Sequence, residues 1–186
     1  MHVNSAIENM TINKMLLKVE QKIANILLMS NSSTTRLLEV ITGQDIEINV
    51  VNQEIVSRNE LGDEYNTMLE NSNSYLKRIV SLHCNGKILS DNIVIASIDS
   101  ISDQVKEGLL ESKIPLGKLI GDQETKRELL WTGYVNKINL QADFVERKFS
   151  LTHYPAKKYL IYINGCCWFY LLEVFHTDEI LKLFWH

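Results

Sequence analysis

Only three cysteines and two prolines occur among 186 residues. Cys84, Cys166 and Cys167 are an odd number with one vicinal pair, which makes no disulfide framework and no C-x-x-C zinc pair. A reducing compartment is the natural setting for that usage. The five histidines (His2, His83, His153, His176 and His186) show no i,i+4 pair and no cluster with carboxylates, so a metal site is not expected. The formal net charge is -4 and no long basic run is present, which disfavours nucleic acid or an anionic membrane as partner. No apolar run is long enough to cross a bilayer. The N-terminus carries Glu8 and lacks an Arg/Ser-rich amphipathic pattern, so it reads neither as a signal nor as a transit peptide. Few prolines with abundant Asn, Ile and Lys suggest an AT-rich genome, such as an organelle or a low-GC bacterium. That sets the expected location as the plastid stroma if organelle-encoded and the cytoplasm otherwise.

What is present is an ordinary globular balance, 45% hydrophobic against 23% charged, in a length that suits one domain with a real core. Ile12, Met15, Leu16, Val19, Ile23, Ile26 and Leu27 recur at helical spacing behind Thr11, predicting a core-packing helix that ends near Ser30. The polar run Asn31 to Thr35 can cap a second helix with an apolar stripe of Leu37, Leu38 and Ile41, and Gly43 is a fitting stop. Ile46, Ile48 and Val50 alternate as in a half-buried strand, and Ser57 to Asn73 reads as a surface excursion. Leu76 to Leu82 and Ile88 to Ile95 flank Asn85-Gly86, a type I′ hairpin signal. A helix over Ser102 to Ser112 precedes the ordered loop Ile114-Pro115-Leu116-Gly117. Strands come next near Glu128 to Val135, Tyr159 to Ile163 and Trp168 to Phe175, with a second Asn-Gly turn at Asn164-Gly165 and a short amphipathic tail. Hairpin-joined strands with helices in blocks predict an α+β fold, a single antiparallel β-sheet with helices, in one domain over residues 1–186.

Two charges stand in apolar phase. By the two-residue period, Arg78 shares a strand face with Leu76, Val80 and Leu82, and Glu173 shares one with Phe169, Leu171 and Phe175. A buried charge is costly unless paired. Arg78 and Glu173 can pair with each other or with backbone, or sit at a strand edge in water. Alternatively Arg78 holds a ligand carboxylate in a pocket opening into the core. No G-x-S-x-G, P-loop or dinucleotide-binding fingerprint competes with them.

The order of features resembles the chorismate pyruvate-lyase (4-hydroxybenzoate synthase) family. The resemblance rests on Ser33-Thr34-Thr35-Arg36-Leu37 before Gly43, on Tyr75 to Leu82 with Asn85-Gly86, on Pro115-Leu116-Gly117 with Thr125-Lys126-Arg127-Glu128, and on Asn164-Gly165 with Leu171 to Phe175. It is clearest over residues 21–175. It implies a cofactor-independent carbon–oxygen lyase that eliminates pyruvate from chorismate to give 4-hydroxybenzoate, a product that could feed quinone biosynthesis. It further implies a substrate carboxylate held by Arg78 and the backbone N–H groups of Ser33 and Leu116, with Glu173 at the ring hydroxyl. Arg78 and Glu173 are then the catalytic pair. Three departures place the chain nearer the divergent cyanobacterial and plastid-encoded branch. Asn92 or Ile93 falls where bacterial members often carry an arginine, Lys157-Lys158 is a thin basic cluster, and Gly165 to Glu173 is one residue longer than in some members. The same fold class also resembles effector-sensing domains of bacterial transcription regulators. The alternative is therefore a non-catalytic domain that binds or senses an aromatic carboxylate. The sequence sets no oligomeric state and is compatible with a monomer.

Overall fold

The two Asn-Gly turns set the sheet. Asn85 and Gly86 have φ of 49° and 73°, and Asn164 and Gly165 have 52° and 84°. Positive φ at both central residues defines the type I′ turn, whose twist matches that of the strands it joins. In this computed structural model, which describes residues 2–61, 63–111, 114–120, 125–144, 147 and 149–185, they close two hairpins. The first joins β2 (Ser74–Cys84) to β3 (Lys87–Ser97), and the second joins β5 (His153–Ile163) to β6 (Cys166–Phe175). With β1 (Glu47–Ser57) and β4 (Thr125–Asn136) they form one antiparallel sheet in the order β1-β2-β3-β6-β5-β4. The strands expected from alternation are all present, and the fold is α+β. Both outer strands carry a break in register, between Val50 and Asn52 in β1 and between Leu129 and Trp131 in β4.

Seven α-helices and a final 3-10 turn (Leu183–Trp185) complete the described residues: α1 (His2–Met29), α2 (Thr34–Thr42), α3 (Asp63–Asn66), α4 (Asp103–Leu110), α5 (Leu116–Leu119), α6 (Lys137–Asp143) and α7 (Thr177–Lys182). Ser102 caps α4 through its side chain, which accepts from the Val105 N–H, and Gly43 ends α2 at φ 68°. Ser112, at the end of the expected fourth-helix segment, lies outside the described residues.

Three expectations change. Helix α1 begins at His2, so Thr11 lies inside it rather than capping it. Of its apolar positions Ile23, Ala24, Leu27 and Leu28 are buried, while Ile12, Met15, Val19 and Ile26 are exposed, because only the last turns of the helix reach the sheet. The surface excursion from Ser57 to Asn73 is partly core: Leu61 and Leu69 are buried against Tyr75, Ile93 and Tyr170. Leu61, Tyr65, Met68 and Leu69 in that run are the signal for it.

The register assigns residues to faces. Arg78 opposes Val94, Val94 opposes Leu171, and Leu171 opposes Tyr159, forming one cross-strand row. Val80, Asn92, Glu173 and Lys157 form the next. On this face Leu76, Val94, Ala96, Ile161 and Leu171 pack with Val105, Leu109, Leu116 and Ile120 from α4, α5 and its C-cap. The opposite face packs Tyr75, Ile93, Ile95, Leu160, Leu172 and Val174 with Leu140 and Phe144.

A buried polar cluster interrupts that second face. Ser81 Oγ donates to Asp91 Oδ1 at 2.6 Å, His176 Nε2 lies 2.8 Å from Asp91 Oδ2, and Arg147 Nε forms an ion pair with Oδ1 at 3.1 Å. Burial pushes the Asp91 carboxyl up, but the hydrogen bonds from His176 and Ser81 and the charges of His176 and Arg147 outweigh it and hold the group below its ordinary value. Nearby His83 is also held low, by burial first and by the Arg147 charge second. A depressed carboxyl and a depressed imidazole act in the same direction. Each contributes stability that is present above its unfolded-state pKa and is lost as pH falls through its folded-state value. Urea denaturation from pH 7 down to pH 2 should therefore show stability falling first below the ordinary histidine value of 6.5 and again below the ordinary carboxyl value of 3.8, and Asp91→Asn should be less stable at pH 7 yet lose less in the second step. An acid limb as steep as the wild type's in that variant would show that Asp91 does not contribute to it.

Candidate ligand site

Glu173 is 3% exposed near the C-terminal end of β6, on the same strand face as Leu171 and Phe175. It does not pair with Arg78. Thr34 Oγ1 donates to its Oε2 at 2.6 Å, Tyr159 OH donates to its Oε1 at 3.0 Å, and Lys157 Nζ lies 3.4 Å from Oε2. Lys157, fully buried on β5, also donates to the carbonyls of Leu27 at 3.0 Å and Ser30 at 3.2 Å, where α1 ends. A cation there satisfies carbonyls that have no intrahelical partner and complements the helix dipole. Burial, followed by the Glu173 carboxylate, pushes the Tyr159 phenol well above its ordinary pKa, so it stays a donor. Three donors thus converge on one carboxylate, which leaves Glu173 set up as an acceptor.

Beside Glu173 the sheet face opens into a cavity with about 410 Å³ of atom-free space, its mouth included. Its floor is Val80, Asn92, Val94, Tyr159, Ile161, Leu171 and Glu173. Its roof is Ser33, Thr34 and Thr35 at the start of α2, and Pro115, Leu116 and Gly117 at the start of α5. These two loops meet closely, since a methyl group at Gly117 would overlap Ser33 Oγ. Glycine is what lets the roof close there. Lys118 Nζ reaches Glu39 Oε1 at 2.7 Å and ties α5 to α2. Arg127 on β4 lines the cavity wall, donates from Nη1 to Tyr159 OH at 3.3 Å, and lies over the Tyr159 ring at 5.5 Å. It also lines the wider recess outside, shared with Ser32, Ser33 and Arg36.

Arg78 is the exception to pairing. Its side chain is 1% exposed, yet Nε and Nη2 are buried without a hydrogen-bond partner. Burial holds the guanidinium below its ordinary pKa. The side chain is not among those bounding the cavity. It lies next to it, with Val80 two residues along its strand and Val94 directly across, both of which do bound it. Nearly all buried polar groups find partners, so a guanidinium with two unpartnered nitrogens beside a cavity is the polar group whose pairing the described residues leave incomplete.

Of the four residues the sequence singles out, Ser33, Leu116 and Glu173 line one cavity and Arg78 borders it. Lys157, Tyr159, Thr34 and Arg127 were not foreseen as parts of the site. Lys157 shares the face of Tyr159 and Ile161, the same in-phase charge that marks Arg78 and Glu173. The expected strand began only at Tyr159, so its phase was not applied. Arg127 likewise falls one residue before the expected start of β4.

An antiparallel sheet with a roofed, partly polar cavity on one face defines an α+β domain with a built pocket. Solved structures of the same shape are the effector domain of PhnF from Mycobacterium smegmatis, with TM-score 0.60, 11% identity and coverage of 81% of this chain and 92% of that one, and the ligand-binding domain of a putative GntR-family transcriptional regulator from Bordetella bronchiseptica, with TM-score 0.50, 12% identity and coverage of 72% and 87%. At such identities the likeness shows the fold alone. The chain spans 58% of the length of the possible transcriptional regulator YydK from Bacillus subtilis, covering 72% of its own residues at 10% identity and a TM-score of 0.49. A comparison with curated proteins gave no match. The family model described as chorismate pyruvate-lyase Rv2949c-like matches residues 28–182, and the chain belongs to that family.

Removing one partner of a buried ion pair strands the other, at roughly 3–5 kcal/mol. Lys157→Met should therefore lower unfolding free energy by about 3 kcal/mol, and Glu173→Gln added to it should recover much of the loss. Two additive losses in that double-mutant cycle would show that the pair is not coupled.

Proposed function

We propose that the chain is a chorismate pyruvate-lyase, releasing pyruvate from chorismate to leave 4-hydroxybenzoate. The observation that carries the reading is Arg78, a buried guanidinium with two partnerless nitrogens at the edge of a cavity whose far wall bears a carboxylate held by three donors, one short of its roughly four acceptor sites. Family membership supplies the reaction class. The elimination breaks the bond between the ring carbon and the ether oxygen of the enolpyruvyl group, and the proton lost from the hydroxyl-bearing ring carbon goes to the methylene carbon of the departing group, so that pyruvate leaves and the ring becomes aromatic. Aromatisation drives it, so the protein's task is chiefly to hold a dianion in the reactive conformer. No metal or cofactor is called on.

In this reading Arg78 binds the ring carboxylate with the backbone N–H groups of Ser33 and Leu116, and Glu173 accepts a hydrogen bond from the ring hydroxyl. Arg127 faces the second carboxylate. The Cα atoms of Arg78 and Arg127 lie four strand spacings apart, on the order of 19 Å across a flat sheet. The α2 and α5 starts, joined through Lys118 and Glu39, exclude water over the bound ring. Glu173 orients rather than transfers a proton, because its oxygens already hold Thr34, Tyr159 and Lys157. The cyanobacterial and plastid-encoded branch, a stromal location and a product destined for a quinone remain the accompanying proposals.

The second reading is a domain that binds an aromatic carboxylate without turnover. The same convergence of donors on Glu173 favours it, since a carboxylate so engaged has little proton-transfer capacity.

Incubation of the purified protein with chorismate, monitoring both products, tests the first reading. Thermal stabilisation by chorismate or 4-hydroxybenzoate without product would select the second. Arg78→Met should lower conversion by at least about 100-fold. It should leave unfolding free energy unchanged or raised by about 1 kcal/mol, because it deletes a buried charge that lacks partners. Near-wild-type turnover, or a loss of several kcal/mol, would remove Arg78 from the site.

A further inference from the structure

Helix α1 spans 28 residues, about 42 Å at 1.5 Å per residue, but from Thr11 onward only Ile23, Ala24, Leu27 and Leu28 are buried, and Glu20 accepts from Thr177 on α7 at 2.9 Å. From Thr11 to Lys22 not one residue is buried. Helices in globular proteins draw most of their stability from packing an apolar face. This one has a second apolar face that its own domain does not cover. Ile12, Met15, Val19, Ile26 and Met29 are between 42% and 71% exposed, and with Lys22 they keep the spacing 3-4-3-4-3. That is the a/d seam of a paired helix, with β-branched residues at all three a positions.

We propose that this stripe pairs with the same stripe of a second copy of the chain, antiparallel. Three observations select that occupant and orientation. The spacing reads identically in both directions about its midpoint, between Val19 and Lys22. A two-fold axis there places every seam position on a seam position, Ile12 against Met29, Met15 against Ile26 and Val19 against Lys22, which is the isologous contact a closed dimer requires. Charge excludes the parallel alternative, since a parallel in-register pair would set Lys22 against Lys22 inside the seam, whereas the antiparallel pair sets each against a valine. Area fits as well. The five apolar side chains expose on the order of 500 Å² per copy, and the flanking Lys18 and Asn25 extend the contact toward the roughly 800 Å² per partner of a standard interface. The association buries the segment of α1 that its own domain leaves in water.

Sedimentation velocity of the full chain between micromolar and hundred-micromolar concentration should show a monomer–dimer equilibrium. Met15→Glu places a charge against Ile26 of the other copy and should weaken the dimer at least tenfold, with an unchanged circular dichroism spectrum and melting temperature. Met15→Glu combined with Ile26→Lys should restore it, because antiparallel pairing then sets glutamate against lysine twice. Parallel pairing would set like charges together and leave the double variant monomeric, which would overturn the orientation. A wild-type chain that stays monomeric throughout overturns the dimer. If that monomer floats with phosphatidylglycerol vesicles and Met15→Glu does not, the stripe's occupant is a membrane surface.

Discussion

A carboxylate and an ammonium sealed together under a helix hold this domain in one arrangement. Taking Glu173 and Lys157 out of water carries a penalty of several kcal/mol per ion that their mutual attraction offsets only if the remaining lone pairs and protons are also met. Every element around them is placed to do that. Thr34 comes from the first turn of α2, Tyr159 from the neighbouring position on β5, and the Leu27 and Ser30 carbonyls from the end of α1. Moving any of these elements leaves a charged group short of a partner. The roof of the cavity and its floor are therefore fixed relative to each other by polar geometry, while the apolar packing on the same face supplies the bulk of the burial.

Against that partnered pair, Arg78 is the deliberate imbalance. One face of one sheet carries a carboxylate with three donors and, one row away, a guanidinium with nitrogens that meet nothing. A protein selected for stability alone would not keep the second. The contrast explains why the two readings of function share one site and differ only in the fate of the bound molecule. Both proposals give Arg78 an anion to hold, and the cavity beside it is narrow, roofed and largely apolar. The family assignment and the regulator-like fold are also compatible, since a cavity of this kind binds first and reacts only if the bound conformer is the reactive one.

The fold was largely legible because its signals are local. Alternation gave the strands, and the two Asn-Gly pairs gave the hairpins with the turn type observed. Phase alone put Arg78 and Glu173 each on an apolar side of its own strand, and the register then brings them to one face. Partnership was not legible, because it depends on register across four strands. Nothing in the sequence links Lys157 to residues 130 positions earlier, and Thr34 looked like one more capping residue. Helix α1 misled for a related reason. Periodicity shows that a face is apolar but not which of two apolar faces the domain will cover, and the stripe running through Ile12, Met15 and Val19 was assigned to the core when the sheet takes only the final turns.

The register breaks in the two outer strands have a consequence for how the protein behaves when crowded. A long, regular free edge invites another strand to add to it, and β4 also exposes Leu129, Leu130 and Trp131. Each outer strand instead has its hydrogen-bonding rhythm broken part-way, at Val50–Asn52 in β1 and Leu129–Trp131 in β4. A bulge adds local twist and puts the backbone groups on either side out of step with any straight incoming strand. Neither edge can template an extended ribbon over its full length. The sheet thereby limits its own growth to six strands, and a chain with this much exposed apolar surface has protection against fibrous aggregation built into its two borders.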